Sequence, residues 1–310
     1  RMTLFSLIVA LLIEQLRPLP VARFVQAPLR VFARFLEDRF NDGEARHGAV
    51  AWWVAILSAC FVSALIYFVL WHLHPAFALF FNILVLYLTT GFRQVSHFFT
   101  DIQLALQMGE LARARQLIGE WRGRSHEDSS SSEVARLAIE EALVAAHRNV
   151  FGVILWFIVL PGPSGAVLYR LARFFDDEWG VRLAGRPDFG DFGSFAKKAF
   201  FALDWIPVRL TAAAFSIVGD FEDGVYCWRA QANQWKDKAS GILLASGGGA
   251  LGVKLGMPIF ESGEVVERPE MGVGDEADAD FMQSTIGLVW RTLVLAFMLL
   301  ALFGVAGWGR

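Results

Sequence analysis

The stretch GAVAWWVAILSACFVSALIYFVLW, residues 48–71, decides the fold of this chain. As an α-helix with a rise of about 1.5 Å per residue, a stretch of this length crosses the hydrocarbon core of a bilayer. Trp52, Trp53 and Trp71 lie near its two ends, where interfacial tryptophans are enriched in membrane proteins. The stretch therefore predicts a transmembrane helix.

Two further stretches predict spanning helices. Residues 75–92 follow the short break HLHP and complete a helical hairpin, and residues 285–308 are uninterruptedly apolar after Arg291. That arginine can extend its charged end to the membrane surface. Residues 2–13 lack the basic segment and cleavage site of a signal peptide, so they predict a retained span or half-span.

Two apolar segments are interrupted by residues that disturb a helix. Residues 150–171 contain the sequence Pro-Gly-Pro, and residues 200–219 contain Asp204, Pro207 and Arg209. Proline removes a backbone donor and kinks a helix. Each segment therefore predicts a broken or re-entrant helix.

Residues 93–149 are polar and predict a soluble helical insert. Apolar residues at helical spacing predict an amphipathic hairpin divided at Gly109, and the run SHEDSSSSE at 125–133 predicts a solvated connector. This insert and the first polar stretch, residues 14–47, are rich in arginine. The positive-inside rule places both on the cytoplasmic side and the N-terminus outside.

Composition agrees with a membrane protein. Apolar residues make up 55% of the chain and charged residues 19%, and the mean hydropathy is +0.44. The net charge of −3 gives no basic surface for nucleic acid. Two distant cysteines form neither a disulfide framework nor a metal signature, so no metal site is predicted. We expect an all-α, polytopic helical protein with a single domain over residues 2–310, embedded in a lipid bilayer of the bacterial inner-membrane type, and open to oligomer formation.

Ionisable groups inside an apolar segment are candidates for a functional site, because burying them in a membrane is costly. Asp204 and Arg209 are of this kind, and Thr211 follows with a hydroxyl group. Arginine offers a planar fork for a phosphate or carboxylate. The three residues predict either an anionic-ligand site or a structural Asp–Arg pair.

The glycine-rich run SGGGALG at 246–252 also has two interpretations. The backbone N–H groups of Gly247, Gly248 and Gly249 would bind a phosphate if they began a helix, with Lys254 nearby. The run lacks the Gly-Lys-Ser/Thr ending of a P-loop. Small residues that allow close helix packing are the alternative. For the wider segment, 241–260, we expect a short re-entrant piece or a packed loop.

Four blocks of this sequence resemble one known family. They are GELARARQLIGEW at 109–121, LPGPSGAVLYR at 160–170, DWIPVRLTA at 204–212 and GALGVKLG at 249–256. They are similar to the CobD/CbiB family of membrane adenosylcobinamide-phosphate synthases, which couple ATP to amide formation between a corrin carboxylate and an aminopropanol derivative. The opening MTLFSLIVALLIEQL and DWIPVRL also resemble the AmpE branch of the same superfamily, which is linked to β-lactamase regulation.

The sequence departs from the ligases at several acidic positions. The family's Gly-Asp-Pro block and its histidine are missing near Glu14, and AAHRNVFG at 145–152 lacks an expected acid. Phe200 and Phe201 stand where the ligases have an Asp-Asp pair, while Asp176 keeps one acid. Because Mg²⁺–ATP chemistry needs carboxylates, these departures predict a lost metal ligand.

The leading expectation is a non-catalytic, AmpE-like sensor that binds an anionic corrinoid or cell-wall-derived ligand and has no firm cofactor. The alternative is a divergent adenosylcobinamide-phosphate synthase that uses ATP and Mg²⁺. The resemblance then assigns the metal and phosphate contacts to Glu14, Asp176, Asp204 and Arg209. A transporter is a third class, although the paired broken helices of two related halves are not found.

Overall fold

The computed structural model of the chain describes residues 2–17 and 25–306. Residues 18–24, part of the segment that the resemblance compares with a Gly-Asp-Pro block, and residues 307–310, at the end of the last predicted span, lie outside the described residues. The helices are α1 (Met2–Leu16), α2 (Ala27–Phe40), α3 (Ala45–Leu73), α4 (Pro75–Thr89), α5 (Phe92–Gln107), α6 (Leu111–Arg122), α7 (Ser131–Ala146), α8 (Gly152–Val159), α9 (Ser164–Phe175), α10 (Ser194–Val218), α11 (Phe221–Gln231), α12 (Lys238–Leu251) and α13 (Ala279–Ala306).

Short irregular elements complete the described chain. π-helical turns cover His147–Phe151 and Asp176–Arg182, and a 3-10 turn covers Ala232–Gln234. The strands are β1 (Lys254–Gly256), β2 (Ile259–Glu261), β3 (Glu264–Val266) and β4 (Glu270–Gly272). β1 pairs with β4 and β2 pairs with β3, both antiparallel.

The chain divides into two compact units. The first comprises Arg1–Gly91 and Gly152–Trp205, and the second comprises Phe92–Phe151 and Ile206–Arg310. The boundary therefore falls within α10. The sequence-based expectation of one domain over residues 2–310 is not decided by this division and stays a prediction.

In the first unit, the apolar helices pack against one another. α1 packs on α4, α3 packs on α4 and α9, and α8 packs on α9. The turn between α8 and α9 is Pro161–Gly162–Pro163, with Gly162 at a φ of +60° beneath the ring of Tyr67. A side chain there would collide with that ring. The sequence PGPSG thus ends one helix and begins the next, which confirms the predicted break in residues 150–171.

In the second unit, the α5–α6 hairpin packs on α7, and α13 packs on α5 and α7. Gly109 lies between α5 and α6 with a φ of +74°, a conformation that glycine adopts without strain. The predicted division of the amphipathic hairpin at Gly109 is confirmed. α11 packs on α12, which also contacts the short strands.

Four helices in the described part of the chain are long and apolar enough to cross a membrane. They are Ala45–Leu73, Ser131–Val159, Ser194–Val218 and Ala279–Gly304. α1 and α4 are shorter apolar helices. The predicted polytopic helical membrane fold is confirmed, and the stretch quoted first lies wholly within α3.

Three sequence expectations need correction. The soluble insert does not extend to residue 149, because Ser131–Val159 runs on through the π-helical turn as an apolar helix. Residues 241–260 are not a loop, since they hold most of α12, all of β1 and the start of β2. Residues 200–219 are not broken either: α10 continues through Pro207.

The continuity of α10 has a specific cause. Pro207 cannot donate the backbone hydrogen bond that would satisfy the carbonyl of Leu203, four residues earlier. The indole Nε1 of Trp156 donates to that carbonyl at 3.2 Å. A side-chain donor therefore replaces the missing backbone donor, which is how proline is tolerated within membrane helices.

Candidate functional site

Asp204 is held by a tyrosine in the first unit. The hydroxyl of Tyr169 on α9 donates to Asp204 Oδ1 on α10 at 2.8 Å. Tyr169 is 0% exposed and Asp204 2% exposed. A carboxylate with so little solvent contact needs hydrogen-bond donors, so this bond fixes the position of a group that sequence analysis selected as functional.

The same helix carries the partner of a second predicted acid. Arg173 on α9 lies 3.9 Å from Asp176 Oδ2 and 2.9 Å from Asp177 Oδ1. Asp176 begins the π-helical turn Asp176–Arg182, and such turns are frequent at functional sites. α9 thus positions contacts to both Asp204 and Asp176.

Phe200 lies beside these groups. Its ring centroid is 5.5 Å from that of Tyr169, and the guanidinium of Arg173 lies over it at 5.5 Å. Phe201, by contrast, is 50% exposed. The resemblance places both phenylalanines where the ligases have acids, but only Phe200 lies in the polar cluster, which we define as Tyr169, Arg173, Asp176, Phe200 and Asp204.

Two buried acids, Glu37 on α2 and Glu178 in the π-helical turn Asp176–Arg182, were not among the residues selected from the sequence. Trp179 Nε1 donates to Glu37 Oε1 at 2.9 Å, and Arg30 Nε donates to Glu178 Oε1 at 3.0 Å. These contacts join α2 to the π-helical turn. Glu14, the remaining predicted acid of this unit, is buried in α1 at 3% exposure.

Thr211 has a buried histidine partner in the second unit. Its Oγ1 lies 2.9 Å from Nδ1 of His147, and one of the two atoms donates according to the histidine tautomer. His147 belongs to the π-helical turn His147–Phe151 and is 0% exposed. Sequence analysis noted only that its block lacks an acid, although a histidine within an apolar helical frame was itself a signal.

Arg148 follows in the same turn and bonds Asp237 Oδ2 at 3.2 Å. Asp237 also caps α12, because it accepts from the backbone N–H of Ser240. Burial acts to raise the pKa of Asp237, but the Ser240 hydroxyl, Arg148 and backbone N–H groups lower it overall. Arg209, the predicted anion contact, is half-buried on α10.

The glycine run does not begin a helix. Gly247, Gly248 and Gly249 are buried in the interior of α12, whose N-cap is Asp237. A Cβ on Gly247 would meet Leu143, and one on Gly249 would meet the backbone of Asp223. The prediction that these glycines begin a helix, as phosphate binding there would need, is wrong. The alternative, close helix packing through small residues, describes them.

Lys254 opens strand β1, and its backbone N–H donates to the carbonyl of Asp275. The sequence analysis missed the ionic contact that holds these strands. Arg268 Nη1 lies 2.7 Å from Glu140 Oε2, and the backbone N–H of Gly256 donates to Glu140 Oε1 at 2.7 Å. Gly256, the last residue of the block GALGVKLG, and Arg268 therefore meet at one buried glutamate of α7.

One group of three potential metal ligands exists among the described residues. Ligand atoms of Asp42, Glu44 and His47 lie within 4.8 Å of one another on an exposed segment. None of the three is among the residues selected from the sequence.

Comparison with known proteins places this geometry in context. The model of the family described as CobD/Cbib protein matches residues 5–289. The cobalamin biosynthesis protein CobD of Stutzerimonas stutzeri is 34% identical over 288 residues, covering 91% of each chain. That of Chromobacterium violaceum is 35% identical over 222 residues, covering 70% of each.

A more distant relative is matched over a similar share of the chain. The cobalamin biosynthesis protein CbiB of Salmonella typhimurium is 24% identical over 299 residues, covering 93% of this chain and 91% of its own. No solved structure matches. The expectation of a non-catalytic, AmpE-like sensor is wrong, because the matched relatives are named for cobalamin biosynthesis.

Proposed function

The chain belongs to the CobD/Cbib protein family, and from that premise we propose that it is a membrane enzyme of cobalamin biosynthesis. The reaction is the one the sequence resemblance implies, an ATP-dependent amide ligation. A corrin carboxylate oxygen takes a phosphoryl group from ATP with release of ADP, or a nucleotidyl group with release of diphosphate. The amine nitrogen of an aminopropanol derivative then attacks the carbonyl carbon, the activated oxygen leaves with its group, and the nitrogen loses a proton.

The observation that carries the proposal is the buried, hydrogen-bonded setting of two polar residues in the block DWIPVRLTA. Its first residue, Asp204, is buried and bonded to Tyr169, and its Thr211 is buried and bonded to His147. Burying polar groups costs free energy unless they are paired. Each pair, within its own unit, supports a retained polar site rather than a passive span.

Mg²⁺ and ATP are proposed co-reactants. Mg²⁺ in enzymes that use ATP is bound by one or two carboxylates together with substrate phosphates. Asp204 and Asp176, which contact Tyr169 and Arg173 of α9, would be the carboxylates available to the metal, and Phe200 stands where the resemblance places a family acid. Arg173, whose guanidinium lies over the Phe200 ring, supplies a cation for phosphate oxygens.

Asp204 has the role of an oriented carboxylate. The Tyr169 hydroxyl occupies Oδ1 at 2.8 Å and thereby sets the direction of the carboxylate. Mg²⁺–ATP, when bound, would supply the activation of the substrate carboxylate, and Asp204 and Asp176 would offer carboxylate oxygens to the metal.

We also propose the location. The lipid bilayer is the surrounding partner, the membrane is the inner membrane of a bacterium, and the arginine-rich segments face the cytoplasm, where ATP is available. The N-terminus then lies outside.

The test uses the purified full-length chain in detergent with cobyric acid, aminopropanol phosphate, ATP and Mg²⁺. The amide product is measured by mass spectrometry beside a family member of established activity. We expect product from the unchanged chain, loss of product in Asp204→Asn and Asp176→Asn, and no loss in Asp188→Asn. Asp188 is an exposed acid of the same unit.

Absence of product beside an active control would overturn the proposal. Equal product formation by Asp204→Asn and the unchanged chain would leave the proposed ligase activity in place but show that Asp204 is not part of its site.

A further inference from the structure

Helix α2 has two apolar faces, and one of them is exposed. The inner face buries Ala33, Leu36 and Glu37, which are all less than a tenth exposed. On the outer face, Val31 is 68% exposed and Phe35 is 60% exposed. A helix that packs against its own protein by one face needs no apolar residues on the other, so the outer face requires a separate explanation.

The orientation of α2 is fixed by buried polar contacts. Glu37 accepts from the indole of Trp179 at 2.9 Å, and Arg30 bonds the buried carboxylate of Glu178 at 3.0 Å. Within the first unit, these contacts prevent rotation of the helix that would bury Val31 and Phe35 instead.

Two arginines flank the exposed apolar residues. Val31, Phe35 and Arg39 follow one another at four-residue spacing and form one stripe along the helix, and Arg34 lies beside it. Arg34 and Arg39 are exposed, and neither has an ion-pair partner within 4.0 Å in the part of the chain that the structure describes. Their charge is therefore free to meet an external anion.

We propose that α2 is an interfacial helix that lies on the membrane surface and binds anionic lipid headgroups through Arg34 and Arg39. Its outer face, Val31, Phe32 and Phe35, enters the boundary between headgroups and acyl chains. Amphipathic helices with large apolar residues on one face and arginine beside it bind anionic bilayers in this way. α2 lies between α1 and the spanning helix α3 along the chain, which keeps it near the bilayer.

The positive charges of Arg34 and Arg39 favour an anionic lipid surface, and not a second copy of the chain, as the partner of this face. Within α2, Asp38 is the one exposed acid beside the arginines of the stripe, whereas an anionic bilayer offers many phosphates at one level. The alkyl portion of each arginine can lie along the apolar layer while the guanidinium reaches the phosphates. This inference rests on the membrane fold and does not depend on the proposed ligase activity.

The test uses the full-length chain with Cys60→Ser and Cys227→Ser, reconstituted in vesicles of phosphatidylglycerol or phosphatidylcholine. A nitroxide label is attached at Val31→Cys or Phe35→Cys. Its collision rates with oxygen, which concentrates in lipid, and with a water-soluble nickel complex are compared. Leu57→Cys on α3 is the lipid-facing reference, since Leu57 is 58% exposed on a spanning helix. Glu127→Cys in the exposed connector is the aqueous reference.

We expect oxygen collisions to dominate at Val31 and Phe35, as at Leu57, with deeper insertion in phosphatidylglycerol. Replacement of Arg34 and Arg39 by glutamine should reduce the depth in phosphatidylglycerol and leave it unchanged in phosphatidylcholine. Nickel-dominated collisions like those of Glu127 would overturn the proposal. Low collision rates with both reagents would also overturn it, because they would identify a protein contact such as a second copy.

Discussion

Arg268 and Glu140 form a buried ion pair with an Nη1–Oε2 distance of 2.7 Å, although they lie far apart in sequence. Their side chains are 11% and 5% exposed. Arg268 also donates to the carbonyls of Met257 and Gly256, and its guanidinium lies over the ring of Trp235 at 5.4 Å. The pair thereby joins the strand region to α7.

Loss of one member of this pair should destabilise the second unit strongly. Arg268→Met leaves the buried Glu140 carboxylate without its cation, and breaking such a pair typically costs about 3–5 kcal/mol. We expect a lower midpoint of thermal unfolding in detergent, measured by circular dichroism. Arg113→Met is the control, because Arg113 forms an exposed pair with Glu110. Similar midpoints for the two variants would contradict the buried-pair argument.

Tyr169→Phe should weaken the site without destroying the fold. The ring remains, but Asp204 Oδ1 loses a donor at 2.8 Å, and a buried group that loses its partner costs about 1–3 kcal/mol. If Asp204 is the oriented carboxylate of the ligase, product formation should fall more than protein stability does. Both are compared with Tyr226→Phe, which alters a tyrosine that is 65% exposed. Unchanged product formation in Tyr169→Phe would show that this hydroxyl does not orient the site.

The charge of Asp237 should make a pH-dependent contribution to stability. Its pKa is lowered from the ordinary value of 3.8, so the folded state favours the carboxylate. The contribution is fully present above 3.8 and is lost as pH falls through the lower pKa of the folded state.

Asp237→Asn should therefore lower the free energy of unfolding at neutral pH by up to about 1 kcal/mol, since the group is half exposed. The difference from the unchanged chain should disappear at pH values below the folded pKa. Asp280→Asn, on an exposed side chain, is the control. A difference that persists through strong acid would show that the charge is not responsible.

Replacement of a helical glycine by alanine should destabilise the protein where the glycine is closely packed and should have little effect where the space beside it is open. In Gly249→Ala the new methyl group would collide with the backbone of Asp223, so α11 and α12 would have to separate. In Gly287→Ala the methyl group meets nothing within 4 Å. We expect a marked loss of thermal stability in the first variant and a neutral or slightly stabilising effect in the second. Equal effects would show that the close approach of α11 and α12 is not required.

Cys227 should react slowly with thiol reagents. It is 0% exposed, and burial, with Asp223 nearby, raises the pKa of its thiol to about 11. The thiolate is the reactive form, so little of it is present at neutral pH. We expect slow modification by iodoacetamide in the folded protein and fast modification in denaturant, measured by mass spectrometry of the peptide that contains Cys227. Fast modification in the folded state would contradict the burial of this residue.

The membrane helices were predictable because their signal is local. A long apolar stretch such as residues 48–71 has one stable form in lipid, and Gly109 and the sequence Pro-Gly-Pro mark chain turns by their own backbone preferences. The continuity of α10 was not predictable, because the donor that compensates for Pro207 is Trp156, from another helix.

The candidate site was predictable only in part, for the same reason. Asp204 and Thr211 stand out as polar residues in an apolar segment, but their partners Tyr169 and His147 belong to separate helices. Helical periodicity gives no information about such pairing. The glycine run was ambiguous because glycine serves both phosphate loops and close helix packing, and only the position of the helix start separates the two.

The glycine-rich interior of α12 has a consequence for when this helix can fold during synthesis of the chain. Each glycine within a helix is less favourable than alanine by roughly 1 kcal/mol, so a segment with three in succession has little tendency to form a helix alone. Gly248 lies against Gly272 of β4, which leaves the ribosome later than α12 does. α12 must therefore wait for downstream sequence, and a chain that stops before β4 should expose this segment to membrane proteases instead of completing the second unit.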